Sequence, residues 1–480
     1  MDQSMKLRDE KVGKLVLQFS LPAIIVLLVS AIYNIIDRVF IGNSVGALGI
    51  AGVTIAFPVM MIMAALSTLV GTGGAALLSI KMGQGKGEEA EQIVGHGLTL
   101  LVGISIVFTI VGLVFLTPIL RAYGASDAIL PYATDYLQII LLGTIVNLLS
   151  TGMNNFIRAE GNPQKAMVTL LIGPLLNVIL APIFIFGFGW GIKGAAWATV
   201  IAQLASSIWV LSHFLSGHSH VKFYAKNLRL KLALVGSILA LGAAPCGVPL
   251  TSSLLNFIIN NSLERYGGDV AISAMGVIVS IQILCTIPLL GISQGIQPIA
   301  GFNYGAGQLD RVKGALKYGL IMGLIVIVFF YVLIQVFPGQ IVAFFDSRDQ
   351  AMINFGSYAM RIYLLGLPVI VVQSIGGGFF QAIGKARDAL IITYARPLLF
   401  FIPLLLVLPN FFGLQGILYA SPATDVITFV TTGVWLMIEI RMLSGKGKES
   451  TVKAGASGAS VETDEKQMME DTASARVENE

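Results

Sequence analysis

Twelve apolar runs, each long enough to cross a lipid bilayer, fill this chain from about residue 15 to about residue 441. A hydrocarbon core of roughly 30 Å needs about 20 mostly apolar residues, since a helix rises about 1.5 Å per residue. The runs lie near 15–41, 49–80, 92–117, 129–157, 165–187, 191–215, 233–262, 270–300, 312–337, 350–380, 388–408 and 413–441. Inside hydrocarbon every backbone N–H and C=O must be bonded within the protein, so such runs read as helices. Several exceed 25 residues, which predicts tilt or bending. Pro22, Pro58, Pro174, Pro182, Pro288, Pro368 and Pro403 fall inside runs and predict kinks. With 12% charged residues, against about 25% in an ordinary soluble domain, the chain could not cover a soluble surface. The expectation is an all-α polytopic membrane protein of twelve transmembrane helices in two pseudo-symmetric six-helix bundles.

Lysine and arginine set the topology. Placing the N-terminus inside puts twenty Lys/Arg on the cytoplasmic side and six on the outer side or outer helix ends. Such a bias favours cytoplasmic segments and predicts that both termini are cytoplasmic. The net charge of +4 divides unevenly, with −3 in the tail from Leu443 and +7 in the rest. The tail is rich in Gly, Ser, Ala and Glu without apolar periodicity, which reads as disorder. Segment 1–14 is a cytoplasmic N-terminus and not a cleaved signal, because the following run is too long and lacks an Ala-x-Ala site. Cys246 and Cys285 lie in apolar runs, read as buried small side chains, and offer no disulfide framework or metal spacing.

The chain also repeats itself. Gly83-Gln84-Gly85 matches Gly305-Ala306-Gly307 at an offset of 222, and Ala159-Glu160-Gly161 matches Ala382-Ile383-Gly384 at 223. Gly97-Leu98 matches Gly319-Leu320, and Gly191-x-x-Gly194 matches Gly413-x-x-Gly416, both at 222. Ala47 and Gly52-Val53 match Ala271 and Gly276-Val277 at 224. An even number of spans per repeat makes the halves parallel, related by an axis along the membrane normal. This gives an N-lobe at 15–217, a cytoplasmic linker at 218–232, a C-lobe at 233–442 and a tail at 443–480. Two parallel bundles leave a cleft between them, and alternating access follows if they rock.

Charges inside a bilayer are costly, so each is a functional candidate. Asp37, in Asn34-x-x-Asp37-Arg38, is either an interfacial acid paired with Arg38 or a carboxylate that takes up a proton or sodium with help from Asn34 one turn away. Arg396 and Asp425 form a charge pair of the second half, either structural or a second coupling site. By the repeat, Asp37 maps to Asn260, Asp425 to Gln203 and Arg396 to Pro174, so neither feature is dictated by duplication. Asn147, Asn154, Asn177, Thr199, Gln203, Asn256, Gln282 and Gln373 are neutral polar residues within spans, each an interhelical hydrogen-bond partner or a ligand. Met60, Met61 and Met63 could pack, face lipid or line an adaptable pocket. Candidate cavity residues are Met60, Met63, Asn154, Asn256 and Gln282. Glu160 reads as a cytoplasmic turn acid. No Walker loop, HExxH, GxSxG or metal-binding acidic pair is present, so the chain reads as a non-enzyme that uses an ion gradient and no cofactor.

Taken together, these stretches resemble the MATE (multidrug and toxic compound extrusion) family, in its bacterial DinF/MepA-like branch. The matching residues are Asn34-x-x-Asp37 through Gly42 with Gly46-x-x-Gly49-x-x-Gly52, Arg158-Ala-Glu-Gly-Asn-Pro163, Leu176-Asn177 with Pro182-Ile-Phe-Ile-Phe186, Gly191-x-x-Gly194-Ala-Ala-x-Ala-Thr199, and Gly295-Ile-Gln-Pro-Ile-Ala-Gly-Phe-Asn-Tyr-Gly305. The resemblance implies H+- or Na+-coupled export of small cationic amphipathic compounds by a monomer in the bacterial inner membrane, without nucleic acid. It also implies a first-lobe coupling site of Asp37, Asn177 and Thr199. Ala181 stands where the branch usually has Asp, which removes a negative charge and tilts the expectation towards protons. The alternatives are a lipid-linked precursor flippase of the same superfamily, which would need a strongly cationic cavity, an exporter of an endogenous metabolite, and a membrane-embedded enzyme.

Overall fold

The computed structural model describes residues 3–216, 219, 221, 224–345 and 350–444; the tail beyond 444 and the side chains of Asn34, Arg38, Asn256 and Asn260 lie outside the described residues. Each of the twelve expected runs falls on helical segments. We number them α1 (Val12–Val45), α2 (Ala47–Gly83), α3 (Gly87–Val114), α4 (Leu130–Leu142 continued by Thr144–Ala159), α5 (Pro163–Gly187) and α6 (Gly191–Leu215) in the first half. The second half holds α7 (Leu232–Cys246), α8 (Val248–Gly305), α9 (Leu309–Val336), α10 (Gln350–Ala382), α11 (Ala386–Phe412) and α12 (Leu414–Ser444). Ten helices among the described residues are long and apolar enough to span, α4 is an eleventh span bent by 55°, and α7 is a shorter apolar helix. The bend in α4 falls at Gly143.

One boundary differs from the sequence expectation. Runs 233–262 and 270–300 predict a break near 263–269, whereas the chain breaks at Gly247 and then forms one helix of 58 residues. Two prolines flank this break. Pro245 removes a helical hydrogen bond, and Pro249 sits in the first turn of α8, where its missing N–H costs nothing. The polar stretch 263–269 stays helical, because a helix is held by its backbone and side-chain polarity alone does not end it.

Two buried apolar cores mark the two bundles. Their membership is exchanged at the seam. Leu15, Val16 and Phe19 of α1 belong to the second-half core, and Ile238 of α7 belongs to the first-half core. The repeat explains the symmetry, since α1 packs on α8 as α7 packs on α2. Gly295 lies against Ser20, and their partners by an offset of 222, Gly73 and Gly242, lie against each other. A methyl group on Gly73 would stand 2.0 Å from the Ile238 carbonyl, and one on Gly295 would stand 2.4 Å from Ser20 Oγ. At the helix ends, Gly83 abuts the Phe302 carbonyl and Gly305 abuts the Ile80 carbonyl, again related by 222. These backbone-to-backbone contacts need glycine, because any side chain would part the helices. All of them sit at the end that carries Lys81, Lys86, Arg311 and Lys313, so the lobes meet at the basic end of the molecule.

Candidate functional site

The first bundle contributes most of the lining of a cavity of about 380 Å³. Phe57, Met60, Met61 and Met63 of α2 supply an apolar wall, joined by Phe19 and Pro22 of α1. The floor is polar, with Thr72, Asn155, Arg158 and Gln294 among its residues. Met60, Met63 and Asn154 are among the residues that line it. Asn154 is buried and donates to the Ala166 carbonyl at 2.7 Å, which ties α4 to α5. Gln282 does not line it: it lies on α8 some three turns from Gln294, the one residue of the second half that does. Among the described residues of the lining, Arg158 is the single charged one and none is a carboxylate. The sequence pattern placed this arginine with the cytoplasmic cations; here it is 7% exposed and turned inward.

Behind the cavity lies a second, hydroxyl-rich space of about 190 Å³, which shares Thr151, Leu170, Thr199 and Gln203 with the first. Ser30, Ser150, Thr169 and Ser206 add hydroxyls to its wall, and Tyr33 and Asn177 face it. The buried Asn177 donates Nδ2–H to Thr199 Oγ1 at 2.9 Å, and that hydroxyl donates to the Ala195 carbonyl at 3.0 Å. Tyr33 lies beside Thr199 and beside Asp37, one turn further along α1. The structure thus brings Asp37, Thr199 and Asn177 into one neighbourhood through Tyr33, a residue the sequence reading did not single out. Asp37 is buried, at 8% exposure. Ala181 is fully buried one turn beyond Asn177, in the same core. Immediately afterwards Pro182 interrupts α5, and Ile183–Gly187 widens into a π-helical turn, a distortion often found at functional sites.

In the second bundle Arg396 and Asp425 meet. Arg396 Nε and Nη2 both approach Asp425 Oδ1, at 2.8 and 2.7 Å, and the guanidinium stands 5.8 Å from the Phe401 ring centre. Arg396 lies in a π-helical segment, Ala395–Phe401, in which Pro397 removes a backbone donor. Gly366 leaves the room for Asp425: a methyl group there would sit 2.4 Å from Oδ2. Tyr363 is buried beside the pair.

Two further polar groups take part in tertiary bonds: Glu160, expected as a cytoplasmic turn acid, and Gln381, which the sequence reading did not single out. Glu160 is only 1% exposed; it accepts Ser219 Oγ–H at 2.6 Å and lies 3.1 Å from His213 Nε2. It ties the end of α4 to the end of α6 and to the linker. Gln381 of α10 donates to the Leu241 carbonyl at 2.7 Å and to Thr72 Oγ1 at 3.3 Å, and it accepts from Gln297 at 2.8 Å. No group of three or more His, Cys, Asp or Glu able to hold a metal occurs among the described residues.

Comparison with known proteins agrees with this architecture. The MatE family model matches the chain twice, at residues 22–183 and 246–407, once in each half. The multidrug export protein MepA of Staphylococcus haemolyticus is 25% identical over 419 residues, covering 87% of this chain and 92% of its own. The solved MATE multidrug transporter DinF-BH is 38% identical with a TM-score of 0.81, covering 89% of this chain and 97% of its own. An outward-facing multidrug resistance MATE transporter of the MOP superfamily shares the fold at a TM-score of 0.86, 23% identity, and coverage of 93% and 99%. A chain that repeats the family's unit in both halves and shares its two-bundle membrane fold belongs to the MatE family of multidrug exporters.

Proposed function

We propose that this protein is a cation-coupled antiporter that exports cationic amphipathic organic compounds by alternating access, as a monomer in the bacterial inner membrane. The observation that carries the reading is the connection between two spaces. A Met- and Phe-walled cavity, suited to a flat apolar body, shares Thr199 and Gln203 with a hydroxyl-lined chamber that leads through Tyr33 to the buried Asp37. Occupancy of the carboxylate and occupancy of the cavity then act on the same helices, α1, α5 and α6. A cationic guest seats against the methionine and aromatic wall, where ring faces attract cations, and stays off the floor, where Arg158 repels it.

Protons are the favoured coupling ion. A metal cation prefers several oxygens with shared negative charge, whereas Ala181 leaves Asp37 as the acid of this neighbourhood. Proton uptake asks only for one carboxylate whose surroundings let it gain and lose a proton. With both termini and the 218–232 linker cytoplasmic, the basic seam is the cytoplasmic side, and the lobes at 15–217 and 233–442 are closed there and face outward. The flippase reading fares less well, since one arginine falls short of what a pyrophosphate group requires.

The test uses proteoliposomes and the cationic dye ethidium. An imposed proton gradient should drive dye uptake, and Asp37→Asn should abolish that uptake without loss of folded protein. Uptake that ignores both proton and sodium gradients, or an Asp37→Asn protein that behaves like the parent, overturns the proposal. Ala181→Asp should introduce sodium dependence.

A further inference from the structure

The floor of the cavity is also the place where the two lobes bond to each other. Arg158 of α4 donates Nη1–H to Gln294 Oε1 of α8 at 2.5 Å, while Asn155 of its own helix holds the other end of the guanidinium. Gln381 of α10 reaches Thr72 of α2 in the opposite sense, held by Gln297 and the Leu241 carbonyl of its own lobe. The two arrangements are related by the repeat. Gln381 follows Arg158 by 223 positions and Gln294 follows Thr72 by 222, the same offsets that relate the glycine loops. Each lobe therefore extends one side chain, from the same structural position, to the same position on its partner.

We propose that Arg158 and Gln381 are a pseudo-symmetric pair of gating residues that clasp the lobes at the base of the cavity, and that both clasps must open for the lobes to rock. The proposal rests on the alternating-access reading, but not on the identity of the ion or the substrate. Both clasps lie at the upper contacts of the glycine seam, since Thr72 precedes Gly73 and Gln294 precedes Gly295, and both Arg158 and Gln381 are buried from the solvent that would otherwise compete for their bonds. Neither bond is needed within a lobe, since the Ala159 and Ala382 positions beside them pack in their own cores. The clasps differ in strength. Arg158 is charged and meets a neutral acceptor, and such bonds exceed neutral ones. Gln381 to Thr72 is neutral and longer. The cation also keeps a like-charged guest away from the floor while the gate is shut, which favours its departure through the open end.

Cysteine labelling separates this from a purely structural role. On a background of Cys246→Ala and Cys285→Ala, Ser79→Cys places a thiol in the seam, where Ser79 is buried against Gly301. Its reaction with a polar maleimide in detergent reports how often the basal seam parts, whether or not ethidium is transported. Arg158→Gln and Gln381→Ala should each raise the labelling rate by about tenfold, the effect of weakening one such bond by about 1.4 kcal/mol. Gln294→Glu should act in the opposite direction: a carboxylate facing Arg158 tightens the clasp, slowing labelling and ethidium turnover together. A control thiol at Ala195→Cys, inside the first-half core, should label no faster in any variant. The proposal fails if Arg158→Gln and Gln381→Ala leave seam labelling within about twofold of the parent, if Gln294→Glu does not slow it, or if the control thiol accelerates in parallel.

Discussion

Consider removal of the acid from the second-lobe charge pair. In Asp425→Asn the Arg396 guanidinium keeps its position in the bundle interior but loses the carboxylate that meets it at 2.7 and 2.8 Å. The Asp425 side chain is 1% exposed and that of Arg396 18%, so water can replace little of what is lost. Breaking a buried pair from one side costs about 3–5 kcal/mol, because an uncompensated charge remains. That corresponds to a drop of about 10²–10⁴-fold in the ratio of folded to unfolded protein. Removing both charges is a different perturbation. Leu reproduces the branching of Asp beside Gly366, and Met approximates the stem of Arg, so Arg396→Met with Asp425→Leu should recover most of the loss. Equilibrium unfolding by SDS in mixed micelles, followed by tryptophan fluorescence, measures each ratio. A single variant as stable as the parent, or a double variant no better than the single, would refute the argument. The rescued double variant then separates the two roles in liposomes. A structural clamp leaves gradient-driven dye uptake intact, and a second coupling site loses it.

Three further outcomes follow from the geometry. Thr199→Ala strands the buried Asn177 amide and should cost about 1–3 kcal/mol in SDS unfolding; Thr199→Ser should restore most of it. A cysteine pair at Ser79→Cys and Gly301→Cys has its Cβ atoms 3.0 Å apart, close to the roughly 3.5–4.5 Å that a disulfide needs; oxidation should lock the basal seam and halt ethidium transport, and a reductant should restore it. His213→Ala leaves the buried Glu160 carboxylate without its imidazole and should lower stability by about 1–3 kcal/mol, while Glu160→Gln with His213→Ala should lose less, again read by SDS titration.

The spans and the duplication were legible because they are one-dimensional properties. A run of apolar residues reports depth in the bilayer, and an offset of 222 survives any rotation of the helices. Direction around a helix axis is not recorded in a run's hydropathy. Arg158 therefore read as one more cytoplasmic cation, although it turns into the cavity, and Glu160 read as a cytoplasmic turn acid, although it is buried against His213 and Ser219. Gln282 shows the same weakness in reverse, being polar and within a span yet remote from the cavity floor. The repeat did hold a usable clue. Arg158 and Gln381 are both long hydrogen-bonding side chains at equivalent positions, directly before matched Ala residues. The break at Gly247 was obscured because hydrophobicity is continuous across it, and only the flanking prolines mark it.

The exchange of α1 and α7 between the cores bears on how the protein is made. When α1 enters the membrane its surface at Ser20 faces a helix, α8, that has not yet been synthesised. At roughly 5–20 residues per second that partner arrives tens of seconds later. During this interval the first six helices lack their closing neighbour, and their small-residue faces on α2 await Gly242 of α7. Neither gene half should therefore yield a finished bundle when expressed alone. Assembly has to be completed from the C-terminal side, with α7 and α8 arriving in immediate succession to seal both faces.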